Sequence, residues 1–299
     1  MRRTALLAVL TTLVVAPAAH AARPTAAQTV AAADALGVGA QARALQSRFL
    51  PGARLVASGG HAALGATRLG GAPDLPKGAK WPSCNHHPLT FLGQLALRDV
   101  RAAVPGATRG TGLLSIFIGT RYGPDTAPEA VHVFNTKSGL AHVGKVKCFA
   151  VTHTPPRAHL TRRTSPRGST PFPAAPQRLR PTLTIPDSDV ATARFGVSLD
   201  GDKLWQPWLA LQARASAGTL ATPAGNLSVR QVLGWSLPLQ EDPTTYRCAG
   251  QPSRLLMQFN SDERYDLDQS EGGFLMLMIG ASDLRAGRFD RLCVEHQLD

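Results

Sequence analysis

Two different patterns of apolar and polar residues divide the chain. From Thr25 to Leu50 strong helix formers dominate, through ADALGVGAQARALQSRFL, with an interruption at Gly37 and Gly39, which predicts one or two short helices. After Pro51 the pattern changes: glycines and prolines punctuate apolar runs of seven or eight residues, the signature of strands joined by tight turns. The clearest runs are TFLGQLAL, GLLSIFIG, AVHVFN and KVKCFAVT, then RLLMQFN, GFLMLMIG and FDRLCVEH. Composition alone would allow such runs as buried helix turns, but their length and flanking glycines assign them to strands. The expected fold class is therefore mainly β within α+β, with antiparallel sheets and a short helical N-terminal segment over residues 22–68.

The strands also repeat. CNHHPLTFLGQL, from Cys84, and CAGQPSRLLMQF, from Cys248, each read cysteine, three residues, proline, then an apolar run ending on a glutamine ten positions after the cysteine. Each is followed by a polar connection, a glycine and another apolar strand. This order predicts an internal duplication within one integrated domain, residues 69–151 forming a first half and 182–299 a second. Gln94 and Gln258 hold matching places, so they are candidates to line a shared cleft and hydrogen-bond a glycan or peptide. The alternative is that each satisfies backbone groups where its strand leaves the sheet. Trp205 and Trp208, in LWQPWL, are ambiguous in the same way, between a ligand groove and a β core.

The first 21 residues, MRRTALLAVLTTLVVAPAAHA, have the basic start, apolar centre and small-residue site of a secretory signal peptide, with cleavage after Ala21. Their apolar run is shorter than the roughly 20 residues a membrane span needs, so no transmembrane segment is expected. The protein is expected to be secreted or periplasmic. All four cysteines, Cys84, Cys148, Cys248 and Cys293, fall in the exported part, and their even number predicts two disulfides. Pairs close in chain order, Cys84 with Cys148 and Cys248 with Cys293, are preferred over pairs across the halves, which would need matching cysteines near the pseudo-axis. No two of them have C-x-x-C spacing, which speaks against a cysteine metal site.

The formal net charge of +12 is local in origin, because nine lysines and arginines and no acid occur between Ala130 and Pro186. Residues 152–181 are also the most proline-rich part of the chain, and are read as a mobile basic linker able to make non-specific anion contacts. Only Phe172 is aromatic there, so base stacking and specific nucleic-acid recognition are not expected.

LGGAPDLPKGAKWP at 69–82, with PLTFLGQL and GLLSIFIG, resembles the front of the YwqG-like family, a bacterial domain family of unknown biochemical role. LGWSLPLQED, LLMQFNSDE, GGFLMLMI and SDLRAGRFD resemble its back. The resemblance implies a roll-like, mainly β fold with helices at its edges, and no catalytic residue to carry over. Some members look linked to toxin and immunity loci, which implies partner binding. The chain departs from the family where a Trp-Gly-Asp turn is usual, with Leu267, Asp268, Gln269 and Ser270 in its place, and in being exported.

Acids concentrate in one connection. Read as a calcium loop, Asn260, Asp262, Asp266, Asp268 and Glu271 fall at ligand positions of the EF-hand spacing, but Arg264 and Tyr265 replace a ligand and the turn glycine, and the flanks are strands. A solvated turn is the competing reading. His86 and His87 would point to opposite strand faces, and no nucleophile elbow, zinc-protease motif or phosphate-binding glycine loop occurs. The function expected from sequence is thus a non-catalytic binding or interaction protein without cofactor or metal, its partner an unknown protein or envelope polymer. The alternatives are a hydrolase acting on an envelope polymer, or an inhibitor of a secreted toxin.

Overall fold

The protein is described by a computed structural model covering residues 23–84, 86–119, 132–135, 140–141, 149–169, 171–217, 230–238, 244, 247–260 and 274–297. Two helices lead, α1 (Ala26–Asp34) and α2 (Gly39–Leu45). Thr25 and Gln28 close a capping box at the start of α1, and Gly37, at φ 79°, makes the break between the helices. The chain continues through β1 (Leu50–Ala57), β2 (Arg68–Leu69), β3 (Asp74–Pro76), β4 (Ser83–Cys84), β5 (His87–Pro88) and β6 (Thr90–Ala96). Then come α3 (Leu97–Ala103), β7 (Leu113–Ile118), β8 (His132–Asn135), β9 (Leu140–Ala141), β10 (Phe149–Thr154), β11 (Leu160–Arg162) and β12 (Ala175–Thr184). The last part holds α4 (Ser188–Phe195), α5 (Asp202–Ala217), β13 (Gln231–Val232), β14 (Arg247–Cys248), β15 (Gln251–Asn260), β16 (Phe274–Gly280), α6 (Ala281–Ala286) and β17 (Leu292–Gln297).

One 13-stranded antiparallel sheet runs β13-β1-β12-β2-β6-β7-β10-β9-β8-β17-β16-β15-β14. Because β15 also pairs with β13, the order of neighbours closes and the sheet curls into a roll. Leu92, Ile116 and Val151 meet Leu256, Leu277 and Val294 in its main core, together with Leu97 and Val100 of α3. The other face is covered as well, by Leu75, Leu89 and Trp81 over Phe91 and Phe117 on one side, and by the Cys248 hairpin over Met276 and Met278 on the other. Every residue of β7 and β16 is buried, which explains why LLSIFI and FLMLMI run apolar without alternation.

Two sets of strands share one register. Arg68 faces Gln94 where β2 pairs with β6, and Gln231 faces Gln258 where β13 pairs with β15. The β6–β7 ladder shifts between Phe91 and Gly93, the β15–β16 ladder between Leu255 and Met257, so the bulge falls at matching residues. Phe149 of β10 faces Ile118 as Leu292 of β17 faces Ile279. Ala175 of β12 faces Leu69 as Ala53 of β1 faces Val232. The step that carries Ala175 to Ala53 carries Arg178 to Val56, and these two are paired, so an approximate two-fold passes between β1 and β12. Among the described residues α3 lies between β6 and β7 and α6 between β16 and β17, so these two helices are not counterparts.

The reading of residues 152–181 as a mobile linker is corrected. That stretch contains the end of β10, all of β11 and most of β12, which pairs with β1 from Gln177 to Thr184 and with β2 at Ala175 and Pro176. The prolines are accommodated by ladder geometry. Leu55 donates to the Arg230 carbonyl just before β13, so the even residues of β1 bond toward β12, and Pro181, opposite Ala53, stands where β1 needs no donor. Pro176 meets Ser58 just past the end of β1 and acts only as acceptor, through its carbonyl. Two of the basic residues there are engaged internally, Arg162 with Asp74 and Arg163 with the Ala79 carbonyl. LWQPWL is also helical, the start of α5, with Pro207 inside the helix.

Candidate functional site

Each expected glutamine is saturated within the fold. The Gln94 side-chain oxygen accepts from the Asp74 amide (3.0 Å), while its nitrogen donates to the Ala66 carbonyl (2.8 Å) and the Asp74 carboxylate (2.8 Å). Gln258 closes on Leu237 in the same way, accepting from its amide (2.9 Å) and donating to its carbonyl (2.7 Å). Both therefore tie the preceding loop to the sheet, and the two matching loop residues are Asp74 and Leu237.

Around that shared frame the chemistry diverges. Asp74, with no exposed side-chain area, takes two bonds from Arg68 (3.2 Å each), two from Arg162 (3.0 and 3.4 Å) and one from the Gly65 amide (2.9 Å). Burial pushes its pKa up, but the hydrogen bonds from Arg162, Gln94 and Gly65 and the Arg68 charge outweigh burial and hold it below the usual carboxylate range. In the other frame Gln231 stands at the place of Arg68, and its side-chain nitrogen donates to the Leu233 and Trp235 carbonyls (2.9 and 2.6 Å). One frame encloses a buried ionic cluster where the other uses an amide and a leucine.

The open site lies beside the second frame. A cleft of about 290 Å³ is bounded by Leu50 and Pro51 of β1, Val104 to Ala107 after α3, the Leu233–Gly234 turn, Arg254 and Leu255 of β15, and Ala281, Leu284 and Arg285 of α6. The turn is positioned by Thr184, whose hydroxyl donates to the Leu50 carbonyl (3.0 Å) and accepts from the Trp235 amide (2.8 Å). Leu233 holds φ 62°, a left-handed conformation uncommon for a residue with a side chain. On the opposite wall Gln251 fastens α6: its oxygen accepts from the Ser282 amide (3.0 Å) and its nitrogen donates to Asp283 (2.8 Å). Asp283, fully buried, also receives Arg288 (2.6 Å) and Arg291 (3.0 Å), so its charge is spent inside the fold.

Arg254 and Arg285 are the charged groups of the cleft, and among the described residues neither forms an ion pair. Arg254 is half-buried and Arg285 exposed at the rim. Burial, and then the like charges of Arg194 and Arg285, push the Arg254 pKa below its usual value. Burial and the neighbouring arginines disfavour the charged Arg254 guanidinium, and an anion beside it would favour it. Sequence reading missed this pair because Arg254 sits within the run RLLMQFN, where it looks like an ordinary solvent-facing strand residue, and no spacing connects it to Arg285.

The remaining expected residues are dispersed. Cys248 and Cys293 are bonded, with Cα atoms 5.7 Å apart, clamping the β14 hairpin over β16 to β17. Cys84 is also disulfide-bonded, while Cys148, its expected partner, lies outside the described residues. Trp208 is fully buried and donates to the Pro186 carbonyl (3.0 Å), whereas Trp205 is 41% exposed, so the two do not form one face. Asn260 ends β15, and Asp262, Asp266, Asp268 and Glu271 lie outside the described residues. Among the described residues no helix is long and apolar enough to cross a membrane, and no cluster of three metal-ligating side chains occurs.

A family described as a domain of unknown function (DUF1963) matches residues 67–297, the span from β2 to β17. No curated protein matches the chain.

Proposed function

The chain belongs to the DUF1963 family, and from that premise we propose that it is an exported, YwqG-like, non-catalytic binding protein that engages an anionic group of its ligand at the Arg254–Arg285 cleft. The observation that carries this reading is two arginines that among the described residues have no ion-pair partner, one of them half-buried, lining a cavity whose other described walls are apolar. The internal acids Asp74 and Asp283 are neutralised by their own arginines, so neither offsets the charge of the cleft. Export is supported by the leader-like first 21 residues and by the disulfide, a bond that persists in oxidising compartments. The matched registers and bulges support an internal duplication as the origin of the two frames.

The test is thermal unfolding at constant ionic strength, with chloride exchanged for carboxylate or phosphate salts. Wild-type protein is expected to gain Tm as the cleft fills, since a ligand binding only the folded state stabilises it by mass action. An Arg254→Met/Arg285→Gln double variant is expected to lose that gain, and an identical response in the two proteins would defeat the binding site. Export is checked separately by N-terminal sequencing of secreted material, where a chain beginning at Met1 rather than Ala22 would remove that part of the reading.

A further inference from the structure

Building on that reading, we propose that the ligand group is a carboxylate at the end of a short apolar body of about four to six carbons, rather than a phosphate or sulfate. Three features point to this class. First, Leu233, Leu255 and Leu284 share the cleft with the two arginines, so a ligand that brings only a hydrated anion leaves its apolar walls wet. Second, oxyanions with tetrahedral charge are usually held by backbone N–H groups at helix starts or in nests. Here the start of α6 borders the cleft, but the Ser282 amide already donates to Gln251. The guanidinium groups are left as the charged donors; their fork takes a carboxylate through two parallel bonds, and a phosphate equally, so the apolar walls decide between the two. Third, about 290 Å³ is at the small end of the range for ligand pockets, roughly 300–1,000 Å³, which fits a terminal group rather than a whole polymer segment.

The same chemistry is presented by a free aliphatic acid and by the C-terminal residue of a peptide ending in a leucine-like side chain. In either case the carboxylate lies against Arg254 and Arg285 while the carbons cover Leu233 and Leu284, removing water from both.

The experiment is an NMR titration of the ¹⁵N-labelled full chain with acetate, butanoate, hexanoate, N-acetyl-leucine and inorganic phosphate at fixed ionic strength, following the amides of Gly106, Gly234 and Arg285. Affinity is expected to rise from acetate to hexanoate by up to about fourfold per methylene, the value of burying one CH₂. It should fall at least about tenfold in Arg254→Met, and likewise in Arg285→Glu, an exposed position where folding is not at stake. Hexanoate binding tighter than N-acetyl-leucine assigns the site to a free acid, the reverse assigns it to a peptide terminus, and both support the proposal. Phosphate binding as tightly as hexanoate, or acetate equalling hexanoate, overturns the apolar carboxylate while leaving an anion site in place. If no anion moves these amides, the anion-binding reading fails with it.

Discussion

The turns after β2 and after β13 are built on one plan and end in opposite states. At the first, Gly70 and Gly71 hold φ 57° and 71°, and the Gly71 amide donates directly to the Phe172 carbonyl (2.8 Å), pulling the two chain segments into contact. At the second, Leu233 and Gly234 hold φ 62° and 82°, but the Thr184 hydroxyl stands between Trp235 and the Leu50 carbonyl. At the second turn that side chain bridges turn and strand, and the cleft lies beside it. The two frames thus share left-handed turn conformations but link to the neighbouring strand differently, one directly and one through a side chain.

The comparison breaks most severely at the buried ions. Asp74→Leu copies the residue of the second frame into the first, but strands Arg68, whose side chain is only 3% exposed. The expected loss is about 3–5 kcal/mol in denaturant unfolding, the usual result of leaving one partner of a buried pair. Adding Arg68→Gln completes the copy, and most of the loss should return, since a neutral pair of similar shape often matches a buried salt bridge. A double variant as weak as the single one would show that the two frames are not interchangeable.

A smaller effect separates the turns themselves. A Cβ at Gly70 would lie 2.1 Å from the Pro173 carbonyl oxygen, so Gly70→Ala is expected to cost about 2–3 kcal/mol, read as a lowered urea midpoint. The matching position already carries leucine, so a tolerated alanine at Gly70 would mean that the first turn is no tighter than the second.

The smallest contrast is in acid. Because the Asp74 pKa is depressed in the folded protein, its stabilising contribution is fully present above the ordinary carboxylate pKa of about 3.9 and is lost as pH falls through the lower folded value. Wild-type stability should therefore fall more steeply below about pH 4 than that of the Arg68→Gln/Asp74→Leu variant. Parallel acid limbs would indicate that Asp74 titrates normally.

Much of this frame was readable in the chain. Cys, Pro and Gln recur at fixed distances because each marks a place where a hairpin starts, a strand begins or a loop is tied down, and such roles leave residue-specific marks. The cleft left none, because it is made by tertiary juxtaposition of β1, β15 and α6, with Thr184 acting across 51 positions of sequence on Trp235. The misread stretch shows the limit of composition. Prolines at 176 and 181 look like linker residues until the alternation of bonding directions places each where no ladder donor is wanted. Helix α5 is hidden for a related reason, since Pro207 inside it masks an otherwise apolar face that buries Trp208 and Leu211.

The circular order of neighbours has a consequence for the molecule among copies of itself. In the main sheet the outer side of β14, two residues long, is the short free margin that hangs off the closed circuit, and the Cys248 bond pins it down. A margin this short offers little template for intermolecular strand addition, so the protein should stay dispersed when crowded.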